Sequence, residues 1–264
     1  MSAVEPDKRV RVALDETDGV AFAGGPSSVS MTRASDGETV EWTGGALPLK
    51  SVPDLIDCEW ELSGVAVRAQ LDVVSRRYCS LDAIRAYRPD EYMLADAPDA
   101  EVEEARARAE ETVEGAARRV FQPVLRRAWV DRPNCRTRTC PIADGERVSD
   151  IRRSVSATLP DGSPVPVRVL SGVELGVGSL PIGSMAEVVV ECGMERTPEE
   201  VSNAVKALAC WYLLPKAGPE NATSTSTEAG VLNFVIGGVA GAATSLPEVN
   251  AVIERYGMRG LVVG

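Results

Sequence analysis

The stretch TPEEVSNAVKALACWYLLP, residues 197 to 215, is the most legible in the chain. Thr197 is placed to cap a helix, Pro198 suits the first helical position, and Glu200 three residues after the cap completes a capping box. Val201, Ala204, Val205, Leu208, Trp211 and Tyr212 then recur at the spacing that lines one helix face. Pro215 stops the pattern. A helix so well marked predicts a layer for its apolar face to pack against.

Working upstream, MAEVVVECG (185–193) reads as a strand leading into that helix. Before it, RRSVSATL and VPVRVL flank the turn PDGS, a strong hairpin signal. Residues 118–138 hold seven arginines against one acid, Asp131. Such a basic run suits a strand pair bridging to the acidic helix before it, or contact with DNA or an acidic neighbour. That helix starts at Pro98 with acids in its first turns and Arg118 and Arg119 at its end, in keeping with the macrodipole. Its apolar stripe is narrow and small: Val102, Ala105, Ala109, Val113, Ala116, Ala117, Val120 and Phe121. Small stripes of this kind suit close helix packing. A linker, ADAPDA, separates it from a short helix over 80–93, ended at Arg88 by Pro89.

Downstream, GPENATSTSTEAG reads as a polar loop and VLNFVIGGV as a strand. LPEVNAVIERYG is a last helix, capped near Ser245, with Pro247 at its start and Gly257 at its end. Residues 1 to about 78 read as β-structure. VRVAL (10–14), SVSMTR (28–33), TVEWT (39–43), CEWEL (58–62) and VAVRAQLDVV (65–74) are separated by turn signals. Trp42 and Trp60 are expected core aromatics. The fold class expected is α+β. An N-terminal small antiparallel β-sandwich or barrel spans 1–90, and a C-terminal helical bundle with projecting β-hairpins spans 91–264.

With 264 residues, 44% hydrophobic and 25% charged, the composition is that of a soluble globular chain with a sizeable core. No apolar run is long enough to span a membrane, and the N-terminus lacks the build of a signal peptide, so an intracellular origin is expected. The net charge of −11 argues against clamping nucleic acid over the whole surface. Histidine is absent, which removes Ser-His-Asp and Cys-His catalysis and His-ligated zinc. None of the four lysines (Lys8, Lys50, Lys206, Lys216) sits in a phosphate-loop context. The six cysteines (Cys58, Cys79, Cys135, Cys140, Cys192, Cys210) show no C-x-x-C pair, and buried or free thiols are expected. No catalytic residue, metal ligand or cofactor is expected.

Taken in order, the segments resemble the head-to-tail adaptor (connector) proteins of tailed bacteriophages, especially those of actinobacterial siphoviruses. The likeness rests on AEVEEARARAEETVEGAARRVFQP, VSDIRRSVSATLPDGSPVP, AEVVVECGMERTPEEVSNAVKALACWYLLP, and the ending ENATSTSTEAGVLNFVIGG…SLPEVNAVIERYG. It covers residues 98–264, and the run from Ser51 to Tyr87 resembles an accessory β-domain of some members. The resemblance implies a virion protein forming a dodecameric ring in the neck. The ring would lie between the portal protein and a head-tail stopper or other neck component, around a channel through which double-stranded DNA passes without sequence-specific binding. It implies assembly in the host bacterial cytoplasm, with no membrane contact. The long helices would form a rigid wall, and the 151–170 hairpin and the 217–230 loop would reach neighbours. The interface residues it implies are Arg126, Arg127, Arg132, Arg136 and Arg138, together with Tyr256, Met258, Arg259, Leu261, Val262 and Val263 in the glycine-bounded tail.

Two other readings fit parts of the sequence. One is an intracellular two-domain binding module whose immunoglobulin-like N-terminal domain recognises another protein. The other is an enzyme using carboxylates alone, with Asp54, Asp57, Glu59 and Glu61 close together. A glycosidase pair needs a cleft lined by aromatics, and aromatics are only 5% here.

Overall fold

The computed structural model describes residues 8–15, 19–20, 28–45, 47–62, 64–88, 94–135, 137–214, 224–227, 230–233 and 243–258. The fold is α+β. The chain divides into two compact units, each assembled from two stretches of sequence: 1–77 with 122–196, and 78–121 with 197–264. This division does not follow the line expected at residue 90. The chain leaves the first unit after the N-terminal strands, builds helix in the second, and returns.

In the first unit, strands β1 (Lys8–Ala13), β2 (Gly19–Val20), β3 (Ser28–Arg33), β4 (Thr39–Thr43), β5 (Leu47–Pro48), β6 (Asp54–Leu62) and β7 (Val65–Val74) come from the N-terminal stretch. Five of them form a sheet in the order β1-β7-β6-β3-β4. The pairings β3–β4, β3–β6 and β6–β7 are antiparallel, but β1 lies parallel to β7. The long excursion between these two strands allows a parallel edge, which no tight hairpin could make. Alternation places Val29 and Met31 inward from β3 and Trp42 inward from β4. They pack with Val12, Ile56, Cys58, Ala69, Leu71 and Val73, and Trp60 packs against that cluster half-buried. Both tryptophans are therefore core aromatics.

The second stretch of this unit supplies β8 (Val124–Asp131), β9 (Arg138–Thr139), β10 (Ile142–Ala143), β11 (Glu146–Arg147), β12 (Arg153–Thr158), β13 (Arg168–Ser171), β14 (Glu174–Gly176) and β15 (Met185–Cys192). A second sheet runs β11-β10-β8-β15-β12, and a small third one β13-β14-β9. Leu55 of β6 meets Leu125 and Val189 across the two larger sheets. The PDGS turn forms as expected. Asp161 Oδ1 accepts from Ser163 N at 2.8 Å, which holds its carboxyl below the ordinary value, and Gly162 takes a positive φ of 84°. The returning strand, however, pairs with β12 only at Pro164 and Val165. Pro164 and Pro166 lack the N–H a ladder needs, so the chain departs and β13 joins another sheet.

The second unit holds helices α1 (Leu81–Arg85), α2 (Asp99–Ala117), α3 (Glu199–Leu213) and α4 (Pro247–Tyr256). Of the small stripe of α2, Val102, Ala105, Ala109, Val113 and Ala117 are buried, with Phe121 just beyond, whereas Ala116 is exposed. The helix packs on α3, where Val201, Ala204, Val205 and Leu208 are buried. Short side chains let the two backbones approach closely. The capping box at Thr197 does not form. Pro198 is the N-cap of α3, and the Thr197 hydroxyl instead donates to Phe121 O at 2.9 Å. Ser80 caps α1, accepting from Ala83 N at 3.2 Å. Pro247 starts α4, which Gly257 ends. Where a polar loop was expected, Ser224–Thr227 pairs antiparallel with Gly230–Asn233 as strands β16 and β17.

Candidate interaction surfaces

In the arginine-rich segment, charge is used mostly inside the chain. Val124–Asp131 is a central strand, so alternate side chains go to opposite faces. Arg126 Nη1 lies 2.6 Å from Asp72 Oδ2, a carboxylate only 3% exposed. Arg127 on the other face binds Asp57, with its Nε 3.1 Å from Glu187 Oε1. Asp57 also accepts from Gln70 Nε2 at 3.0 Å, and Gln70 Oε1 accepts from Arg9 Nη2 at 2.8 Å. The result is a polar line running from β1 through β7 and β6 to β8 and β15. For Arg126 and Arg127 the carboxylates do not come from the helix before them. The carboxylates come from strands more than fifty residues upstream.

Arg132 Nη1 donates to Gly178 O at 2.7 Å and to Leu180 O, which ties the loop before β15. Arg138 is the most exposed of these side chains at 69%, with Glu174 3.7 Å away. Arg136 lies outside the described residues, as do Arg259, Leu261, Val262 and Val263.

Tyr256 and Met258 sit where α4 meets the end of α2. The Tyr256 ring packs edge-on to Phe121 at 6.2 Å, and Phe121 packs edge-on to Tyr78 at the same distance. Arg119 Nη1 donates to Tyr256 O at 3.0 Å, and Met258 N donates to Ala117 O at 3.0 Å. Tyr256 therefore works in packing, whereas Met258 is 38% exposed. Gly257 fits tightly, since a Cβ there would lie 2.6 Å from Ile253 O. Gly257→Ala is expected to lower stability by about 1–3 kcal/mol through overpacking, read from urea unfolding of wild type and variant.

An apolar surface that sequence reading missed lies on the second sheet. Ile142 pairs with Trp129, Trp129 with Glu187, and Met185 with Asp131. Ile142, Trp129 and Met185 thus share one face. At its other end that face is covered by Leu55, but here Ile142 is 47% and Met185 50% exposed. Ile182, just before the strand, is 62% exposed. Hydrophobic strand alternation was visible, but which end of the face stays uncovered depends on where Leu55 lands.

Three of the four carboxylates at 54–61 lie against arginines. Asp54, 1% exposed, faces Arg33 at 3.3 Å; Asp57 holds Arg127; Glu59 lies 3.3 Å from Arg68. The six cysteines are free thiols. The thiol of Cys58 is pushed up to about 12 by burial and by neighbouring Asp57, so it is protonated and unreactive at neutral pH. Among the described residues, no group of three or more metal-ligating side chains converges, and no helix is long and apolar enough to cross a membrane.

No protein-family model and no curated protein matches the chain. Its fold is similar to a chain from the neck of an empty GTA particle solved with C6 symmetry, at 16% identity and a TM-score of 0.49, covering 71% of this chain and 93% of that one. It is also similar to a chain from the virion of a native gene transfer agent (GTA) particle, at 17% identity and a TM-score of 0.47 with the same coverage. A third similar chain comes from the neck of a native GTA particle with C12 symmetry, at 16% identity and a TM-score of 0.43, covering 68% of this chain and 95% of that one.

Proposed function

We propose that this chain is a structural protein of a phage-type virion neck. Copies assemble into a homo-oligomeric ring, dodecameric in this reading. The ring joins the portal to the next head-tail connector component and surrounds the DNA channel without enzymatic activity. The class comes from the order and wording of the segments over residues 98–264. The observation that carries an assembly role is the exposure of Ile142 and Met185 on the sheet face that also carries half-buried Trp129, with Ile182 exposed just before the strand. Clustered exposed apolar side chains on a chain of −11 net charge mark a protein contact rather than a solvated face. A ring of identical head-to-tail contacts needs two such unlike surfaces on each copy. Met258 and Arg138 are the other outward-facing candidates, and the undescribed tail residues 259–264 complete the proposed portal-facing set. Acidic side chains facing the channel would keep DNA from sticking.

The rival binding-module reading needs an N-terminal domain that acts alone. Strands β8 to β15 share a compact unit with the N-terminal strands, and Leu55, Asp57 and Asp72 are tied into them. That is a poor design for a detachable module.

Electron microscopy and sedimentation of the purified full chain, alone and with portal rings, test the proposal. Rings on the portal are the expected result. Met185→Asp is expected to weaken self-association about tenfold or more while the monomer still folds. A chain that stays monomeric beside intact portal rings would refute the reading.

A further inference from the structure

The small sheet β13-β14-β9 carries a row of positive charge with a gap in its middle. Arg168 of β13 and Arg138 of β9 both pair with Gly176 of β14, one on each side. Directly paired residues send their side chains to one face, so the two arginines share a face, about 10 Å apart across two strand spacings. Leu175, in the next row, is fully buried, so the face opposite to it, with the exposed arginines, is the outer one. Leu170 belongs to that outer face: its Cδ2 would lie 3.4 Å from a Cβ on Gly176, and it is 50% exposed. The row therefore reads arginine, leucine over a bare glycine, arginine. Glu174 lies 3.7 Å from Arg138, and Arg168 makes no ion pair among the described residues. The inverse pattern lies on α2. Glu104, Ala107 and Glu111 are exposed and fall at i, i+3 and i+7, on one helix face. The two glutamates are two turns apart, about 10.5 Å along the axis. Neither makes an ion pair among the described residues, and the adjacent Arg108 is turned onto the Tyr212 ring, 4.3 Å from its centroid.

We infer that these two faces are the unlike halves of one contact between copies, in which α2 of one copy lies across β13, β14 and β9 of the next. Glu104 and Glu111 meet the two arginines, and Ala107, with only a methyl group, leaves room for Leu170 between them. The occupant is a second copy because charge and spacing both match. Acids about 10.5 Å apart meet arginines about 10 Å apart, with an apolar position midway in each. Duplex DNA is the poorer fit, since a chain of −11 net charge repels it and its phosphates offer Leu170 no apolar contact. A head-to-tail ring needs a pair of unlike faces on every copy, and complementary charges across the contact fix its register. The inference rests on the ring reading and deepens it, giving Arg138 the neighbouring copy as its partner.

Charge reversal in two variants of the full chain tests it. Arg138→Glu with Arg168→Glu makes both faces acidic, and Glu104→Arg with Glu111→Arg makes both basic. Each variant alone is expected to form rings about tenfold or more weakly than wild type in low-salt sedimentation, because like charges then meet. All four positions are exposed, so the circular-dichroism melt of each monomer is expected to stay unchanged. Mixed in equal amounts, the two variants are expected to regain rings, since each reversed face then meets its opposite on the other variant. Native mass spectrometry is expected to find equal numbers of the two in each ring. Variants that assemble alone as well as wild type overturn the contact and leave the ring reading standing. So does a mixture that forms no rings. Loss of duplex-DNA retention by the arginine variant with its rings intact also overturns it, and assigns the row to DNA. Absence of rings from the unaltered chain, alone and on portals, removes the ring reading together with the contact.

Discussion

Arg106→Leu is expected to remove about 3–5 kcal/mol of stability from the helical unit, a large part of what such a unit has. Arg106 is fully buried in the middle of α2. Its Nη1 donates to Cys79 O at 3.0 Å, and its Nη2 lies 3.2 Å from Glu103 Oε1. One turn on, Glu110 is 1% exposed and accepts from Tyr78 N at 3.1 Å. Leucine would fill much of the stem's volume but leave the Cys79 carbonyl without its donor. Arg106→Lys keeps the charge without the planar fork and is expected to fall between the two. Urea unfolding, with hydrogen exchange read over residues 99–117, measures both. A loss below about 1 kcal/mol for the leucine variant would mean that the buried arginine does not hold the segment at 78–79 in place.

This pair also shows where sequence reading reached its limit. The α2 stripe of alanines and valines was legible because burial repeats at helical spacing. Nothing in the sequence marks Arg106 and Glu110 as buried, since a residue string does not encode backbone partners such as Cys79 O and Tyr78 N. Strands β3, β4 and β7 matched their runs residue for residue, as β-branched alternation bounded by turns allows. The parallel placement of β1 was not legible, because nothing in VRVAL distinguishes a parallel edge from a hairpin arm. At Thr197 the capping signal was genuine as chemistry. The hydroxyl found a competing acceptor at Phe121 O, brought near by the tertiary fold. Arg126 and Arg127 read in the sequence as interface residues, and their carboxylates within the chain sit on strands that only the closed sheet pair brings within reach.

Phe121→Ala is expected to be the other severe change, at about 3–5 kcal/mol for a fully buried ring. Its consequence goes beyond a cavity. Phe121 stands edge-on between Tyr78 and Tyr256, its amide donates to the Tyr78 hydroxyl at 2.9 Å, and its carbonyl holds Thr197. The ring thus braces Tyr78 ahead of α1 and Tyr256 at the end of α4, whereas the backbone amide and carbonyl keep their partners in the alanine variant. Phe121→Leu retains most of the apolar volume but neither edge-to-face contact, and is expected to lose less, about 1–2 kcal/mol. If α4 is the anchor from which residues 259–264 reach the portal, the two variants separate packing from anchoring. In Phe121→Leu the unit stays folded while hydrogen exchange over 247–258 quickens and portal binding weakens. Quickened exchange with undiminished portal binding would show that the α4 anchor does not position the binding surface, and would move the portal contact elsewhere on the chain.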